Sequence, residues 1–291
     1  MGNSFSAKPS TWQATSRNVL ITGASRGIGA ELARNFAKEG ARLALLARSK
    51  DGLKHIANEC TELGAERVET YACDLTDNNE ITSACANAIA DFEGFDVVVL
   101  NAGRSQGCYF EEIQDIDQID YMLKLNVGGV IIGLQKLLPA VFKSKQSRIV
   151  VVSSTAGIIP VAYRSVYCAT KAAVNAFCGT IRMELNDTYG DDSPQVCTIN
   201  FPEVKGTALN AGRMDFGAKL KPVQFNVETA AALKPTCELC IEAIRQGKRS
   251  WGEPTKIKIL LPLYSFIPGP LEKLIMKHLK KTHFRPGLES Q

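Results

Sequence analysis

A tyrosine and a lysine four positions apart, Tyr167 and Lys171 in YCATK, are the residues of this chain best placed to move a proton. They fall in YCATKAAVNAFCGTIRMEL, whose spacing predicts a helix, so both side chains leave one helical face and enter one site. A free phenol, with a pKa of about 10, is a poor acid or base at neutral pH, and a neighbouring ammonium favours its phenolate. Lys171 is expected to supply that charge. Ser154 stands thirteen residues before Tyr167, at the end of an apolar run, where its hydroxyl can hydrogen-bond a substrate oxygen or a developing alkoxide. A surface tyrosine, a turn-capping serine and a snorkelling lysine would explain each residue singly. As a set they describe acid–base chemistry at a carbon–oxygen bond.

A second stretch, VLITGASRGIGAEL, has the character of a phosphate site. Gly23, Gly27 and Gly29 follow an apolar run and open a helical pattern, spaced T-G-x-x-x-G-x-G rather than G-x-G-x-x-G. Such a turn brings bare backbone amides against a pyrophosphate, and the helix N-terminus adds partial positive charge.

A scaffold must bring these two stretches together. Short β-branched runs at residues 19–22, 42–46, 68–72, 97–100, 148–152 and 196–200 read as strands buried on both faces of a parallel sheet. Helical patterns such as Leu53, Ile56, Ala57 and Cys60 separate them. The alternation predicts an α/β fold, a doubly wound, Rossmann-like sheet with right-handed crossovers. With 291 residues, 45% of them hydrophobic, and no Ser/Gly linker, the chain is expected to form one domain over residues 17–256. Residues 1–16 and 257–291 are its tails. The formal charge is only +4, and the basic residues are scattered until the last twenty-odd positions, which excludes a nucleic-acid stripe through the domain. Nine irregularly spaced cysteines and no secretory signal fit a reducing intracellular compartment. Cys237 and Cys240 form a C-x-x-C inside a helical pattern with no second ligand pair, so a buried helix face is expected there and no metal.

The ordered motifs resemble the short-chain dehydrogenase/reductase superfamily from Asn18 to about Thr207, roughly two-thirds of the chain. Thr22, Gly23, Ser25, Arg26, Gly27, Ile28 and Gly29 match its cofactor turn, and Asp74 and Leu75 its adenine contact. Asn101, Ala102 and Gly103 match its N-A-G element, with Leu100 where an Asn often stands. Asn126 in KLNVGG, Ser154, Tyr167 and Lys171 match its active-site set. The resemblance implies a nicotinamide cofactor, an Asn126-bound water relaying protons to Lys171, contacts from Pro202 and Thr207, and a homodimer or homotetramer. The region around Tyr167 and the tail are similar to the hydroxysteroid-dehydrogenase-like group, which implies a small lipophilic carbonyl or alcohol substrate such as a steroid, retinoid or fatty-acyl chain.

Cofactor choice is read from charge. An acid ending the second strand would bind the ribose hydroxyls of NAD, but this strand ends LLARS with Arg48, and Arg26 sits in the glycine turn. Two guanidiniums suit a 2′-phosphate, so NADP(H) is expected.

One departure follows the sixth strand. NFPEVKGTAL has Glu203 where the family usually has Gly, and Lys205 where an apolar residue is common. Glu203 suggests an alternative to an active enzyme, a nucleotide-binding membrane adaptor with little turnover. Phe201, Leu209, Met214, Phe216, Leu220 and Phe225 either line a lipophilic pocket or pack a loop on the core. At the ends, MGNSFS fits the myristoylation pattern through Gly2 and Ser6. The segment LLPLYSFIPGPLEKLIMKHLKK is too broken by Pro262, Pro268 and Pro270 to span a bilayer. Leu271, Leu274, Ile275 and Leu279 nevertheless make one apolar face flanked by Lys273, Lys277, Lys280 and Lys281, suited to peripheral contact with the cytoplasmic face of a membrane. A helix capping the core or a dimer interface is the competing reading.

Overall fold

The computed structural model describes residues 12–205, 207, 214–216, 224–225, 230–252 and 268–284. Six strands follow the apolar runs: β1 (Asn18–Thr22), β2 (Arg42–Ala47), β3 (Arg67–Ala72), β4 (Val97–Leu100), β5 (Arg148–Ser154) and β6 (Gln195–Phe201). With the short β8 (Ser250–Trp251) they form a seven-stranded sheet in the order β3-β2-β1-β4-β5-β6-β8, every pairing parallel. Between them run α1 (Gly27–Lys38), α2 (Lys50–Glu62), α3 (Asn78–Phe92), α4 (Ile116–Leu123), α5 (Gly129–Val141), α6 (Ser165–Tyr189) and α7 (Leu233–Arg245). Several starts are fixed by side chains in the sequence. Ser49 Oγ accepts the Gly52 amide at the head of α2, and the Asp77 carboxylate accepts the amides of Asn79 and Glu80 at the head of α3.

The strand period of two divides the core. Ile21, Leu45, Val99 and Val150 face α1, α2 and α7, where Phe36, Ile56 and Ile241 are buried. Leu20, Leu46, Val98 and Val151 face the other way, toward Ala88, Leu134 and Val174 of α3, α5 and α6. Cys237 and Cys240 are fully buried on α7, as the helical pattern implies.

Two features depart from the sequence expectation. β3 is not covered on both faces: none of its residues is buried, each being exposed or half-buried, because it is the sheet's outer strand. β8, only two residues long, carries too little pattern to be legible.

Strand order reverses between β1 and β4, where open α/β sheets bind their ligands beyond the carboxyl ends of the strands. The glycine turn leaves β1, and Asn101-Ala102-Gly103 leaves β4, at this place. At the C-terminus, α8 (Pro268–Thr282) precedes β9 (His283–Phe284), which pairs antiparallel with β7 (Gln224–Phe225). Leu271 is buried, whereas Lys273, Leu274 and Lys277 are exposed. Among the described residues no helix is long and apolar enough to cross a membrane. Gly2, Ser6, Leu209, Leu220 and Pro262, and the side chains of Phe225, Leu279, Lys280 and Lys281, lie outside the described residues.

Candidate active site

The glycine turn is latched to the loop after β4. Thr22 Oγ1 accepts the amides of Asn101 at 2.9 Å and Ala102 at 3.2 Å, and Asn101 Nδ2 donates back to the carbonyls of Thr22 at 2.9 Å and Gly23 at 3.3 Å. Gly23 and Gly27 have φ of +67° and +61°, a region that side chains disfavour. At Gly29 the constraint is space: a Cβ would meet the Gly23 carbonyl oxygen in hard overlap and Asn101 Nδ2 at 2.6 Å. The turn is therefore wound tightly onto the N-terminus of α1, with Arg26 exposed at its N-cap position and Ser25 and Ile28 half-buried beside it. This cradle fits a dinucleotide pyrophosphate.

Arg48 follows directly on β2, with 60% of its side chain exposed, and donates to Tyr121 Oη at 3.1 Å and to Asp74 Oδ2 at 3.4 Å. A Cβ on Gly52 would stand 3.0 Å from Ser25 Cβ, so the start of α2 packs against the turn that carries Arg26. Leu75 is buried beyond β3, and Asp74 Oδ1 accepts both the amide and the hydroxyl of Thr76.

The proton-moving set gathers at the carboxyl end of β5. Ser154 is that strand's last residue; its hydroxyl donates to the Phe201 carbonyl at 3.4 Å and accepts the Ala156 amide at 3.2 Å. Tyr167 and Lys171 lie on α6 with 3% and 4% exposure, and Lys171 Nζ is 5.9 Å from the centre of the Tyr167 ring. Lys171 donates to the Val152 carbonyl at 2.9 Å. Asn126 is fully buried in one turn of π-helix, Lys124–Gly128, between α4 and α5; such turns often mark functional sites. Its Oδ1 accepts the Arg104 amide at 2.9 Å, and its Nδ2 donates to the Arg104 carbonyl at 2.9 Å and Thr170 Oγ1 at 3.1 Å. Asn126 thus ties the loop after β4 to the helix that carries Lys171. Gly103 fills the gap between them: a Cβ there would lie 3.1 Å from Asn126 Oδ1 and 3.6 Å from Lys171 Nζ. Pro202 is half-buried after β6, and buried Thr207 donates to the Val204 carbonyl at 3.2 Å.

Burial pushes the Tyr167 phenol above its ordinary value, while Arg164 and the Ser154 hydroxyl pull it back and Cys168 and Glu203 push it up. Burial also disfavours the Lys171 ammonium and lowers its pKa to about 8. The sequence reading missed Arg164. Its one signal was a position three residues before Tyr167, and nothing in the spacing tied it to Glu203. Gln106 was missed as well: buried in the loop after β4, its Oε1 accepts the Val166 amide at 2.8 Å and so caps α6 next to Tyr167.

Around Tyr167 lies a small apolar cluster of Cys108, Met122, Ala156, Val166, Met214 and Phe216. Phe201 belongs instead to the main core and stacks edge-on against Trp251.

Fold and turn together define a doubly wound α/β protein with a dinucleotide cradle at its switch point. The short chain dehydrogenase profile matches residues 17–211, and the chain belongs to that family. It is 30% identical over 259 residues to 11-beta-hydroxysteroid dehydrogenase-like 4A of Arabidopsis thaliana, covering 89% of this chain and 82% of that one. It is 35% identical over 182 residues to dehydrogenase/reductase SDR family member 7 of Mus musculus, covering 62% and 54%. Among solved structures, an alcohol dehydrogenase from the archaeon Thermococcus sibiricus, complexed with 5-hydroxy-NADP, superposes with a TM-score of 0.66 at 26% identity, covering 79% of this chain and 90% of that one. The chain is accordingly an oxidoreductase acting on CH–OH groups, in a nicotinamide-binding family and with similarities in its hydroxysteroid-dehydrogenase-like group.

Proposed function

We propose that the protein is an NADP(H)-dependent oxidoreductase that interconverts a carbonyl and an alcohol on a small lipophilic substrate. The observation that carries this reading is the gathering of Tyr167 and Lys171, buried one turn apart on α6, with Ser154 at the carboxyl end of β5. When bound, the nicotinamide supplies or takes up the hydride. In reduction Tyr167 delivers its proton to the carbonyl oxygen, and Ser154 hydrogen-bonds the same oxygen as charge develops on it. In oxidation the phenolate removes the alcohol proton. Asn126 holds Lys171 and the loop after β4 in register, which supports its part in returning the proton from solvent.

Thr22, the turn from Gly23 to Gly29, Asn101, Ala102, Gly103, Pro202 and Thr207 would hold the cofactor, with Asp74 and Leu75 at the adenine. Exposed Arg48, close to the turn that carries Arg26, supports the 2′-phosphate and hence NADP(H). The apolar cluster beside Tyr167, and the hydroxysteroid dehydrogenases among the relatives, support a lipophilic substrate. Exposed Leu123 and Ile131 on α4 and α5, with Met183 on α6, support a homodimer or homotetramer. Lys273, Leu274 and Lys277 on α8 support peripheral contact with the cytoplasmic face of a membrane.

The test is a panel of lipophilic ketones and aldehydes followed by NADPH absorbance, with Tyr167→Phe as the comparison. The wild type is expected to consume NADPH with at least one member, and the variant to bind NADPH but lose turnover by about a hundredfold or more. Undiminished turnover by Tyr167→Phe would remove the catalytic assignment. NADPH binding with no turnover of any carbonyl would favour the adaptor instead.

A further inference from the structure

Tyr167 is presented from the first turn of α6, and the N-cap residue of that helix makes no side-chain capping bond. Arg164, in the N-cap position, has no side-chain oxygen to offer, and its guanidinium is turned to Glu203, with Nη2 2.7 Å from Oε2. The amides of a first turn have no acceptor within their own helix, and a buried amide left unpaired is costly. Gln106, in the loop after β4 and 60 residues before Val166, fills the place. Its Oε1 accepts the Val166 amide at 2.8 Å and the Tyr167 amide at 3.4 Å, the two that an N-cap side chain would ordinarily take. Its Nε2 faces Ser165 Oγ at 3.3 Å and Cys108 Sγ at 3.5 Å. A backbone N–H can only donate, so the partners themselves fix which way the amide group points. Gln106 has no exposed surface, and Val166 and Tyr167 are buried as well, so water is a poor substitute for the cap.

The backbone from which this side chain reaches is itself fixed. Both neighbours of Gln106 are bonded to Met214, whose amide donates to the Ser105 carbonyl at 2.9 Å and whose carbonyl accepts the Gly107 amide at 3.1 Å. The Cys108 amide donates to the Tyr163 carbonyl at 3.2 Å, just ahead of α6, and Asn126 holds the Arg104 backbone through two bonds of 2.9 Å. We propose that Gln106 is a positioning residue for the reaction: it caps α6 from outside the helix and so sets where Tyr167 presents its hydroxyl at the end of β5. The inference rests on the reading of Tyr167 as the proton-transferring group and adds to it a residue that acts through the helix. Tyr167 is the third residue of α6, so fraying of a single turn would displace it. A misplacement of about 1 Å at a reacting group can cost about a hundredfold in rate. The same junction fixes Met214, which packs in the apolar cluster around Tyr167, so one loop places both the proton-transferring residue and part of its apolar surroundings.

Gln106→Met keeps the length of the side chain and removes its acceptor. With a carbonyl from the panel, kcat should fall about tenfold or more, whereas NADPH affinity, read by fluorescence, should change by less than about twofold, because the glycine turn and its latch are untouched. Gln106→Glu keeps an oxygen in the same place, where a helix N-terminus favours it, and should recover most of the lost kcat. Amide hydrogen exchange over residues 164–170 reads the cap with no substrate present, and it should quicken in Gln106→Met and return toward the wild type in Gln106→Glu. Undiminished kcat in Gln106→Met, equal losses of kcat and NADPH affinity, or no recovery in Gln106→Glu would each overturn the assignment. If Gln106→Met fails to fold, Gln106→Glu decides alone: kcat and exchange near those of the wild type support the cap, and a folded variant without turnover overturns it. The two readings fail differently. Turnover that Gln106→Met leaves unchanged sinks the positioning role and leaves the enzyme standing, whereas a wild type that reduces no carbonyl sinks the enzyme reading and the role that rests on it.

Discussion

Lys171 Nζ stands 5.9 Å from the centre of the Tyr167 ring, yet its hydrogen bond goes to the Val152 carbonyl rather than to the phenol. The lysine is thus braced against the sheet, close enough to share the site and too buried to hold its charge cheaply. Its pKa falls to about 8, because burial penalises the ammonium.

That burial predicts a pH-dependent stability. The folded value lies below the ordinary lysine value of 10.5, so between the two the unfolded chain binds more protons. The penalty is fully present below about 8 and is released as pH rises toward the unfolded value. Lys171→Met lacks it. From about pH 7 to about pH 10 the wild type should gain a few kcal/mol relative to this variant. Urea unfolding of both proteins at each pH measures the difference, and parallel pH curves would refute the assignment.

Gly29→Ala tests how tightly the cofactor turn is wound. The new Cβ would stand 2.6 Å from Asn101 Nδ2 and within the radius of the Gly23 carbonyl, so the latch between the turn and the loop after β4 must open. Overpacking of this kind costs about 1–3 kcal/mol. Thermal unfolding should show that loss and NADPH titration a weaker affinity, whereas a variant as stable and as tight as the parent would show that the turn has slack.

How much of this was legible in the sequence depends on the distance over which each feature is encoded. The strands at residues 42–46 and 97–100 announce themselves, because a strand covered on both faces must be apolar along its length. Tyr167 and Lys171 were legible because one helical turn joins them. Arg164 and Glu203 are 39 residues apart and meet only because β6 runs beside β5, so neither residue's neighbours foretell the pair. The π-turn around Asn126 was equally silent, since one extra residue in a turn leaves the apolar spacing of KLNVGG nearly unchanged. Arg48 was legible as a missing acid at the end of β2, but not its bonds to Asp74 and Tyr121, which come from two other parts of the chain.

Those bonds shape the cofactor test. Arg48→Asp would set a carboxylate near Asp74 and oppose a 2′-phosphate. The ratio of kcat/KM for NADPH to that for NADH is expected to fall about tenfold or more, the size of one lost charge-assisted pair. Arg48→Ala, which adds no repulsion, should fall part of the way. A ratio that stays put in both variants would make Arg48 a bystander and return the choice between NADP and NAD to other residues.

Membrane contact is tested through the two ends of the chain. On α8, Leu271 turns inward, whereas Leu274 is 58% exposed between exposed Lys273 and Lys277, an apolar residue set among cations. Each lysine near an anionic surface contributes about 1 kcal/mol, and salt screens that share. A myristoyl group on Gly2 would hold the chain only marginally, with K of about 10⁴ M⁻¹, so each signal is weak alone and the two together suffice. Gly2→Ala and removal of residues 268–291 should therefore each reduce sedimentation with vesicles containing phosphatidylserine, and the combined change should abolish it while NADPH binding persists. The buried Leu271 calls for a control in which the helix stays folded, and Lys273→Glu with Lys277→Glu supplies it by reversing charge at exposed positions. If the full-length acylated protein remains in the supernatant at low salt, or the charge reversals leave sedimentation unchanged, α8 is not a membrane contact and its exposed face belongs to an oligomer.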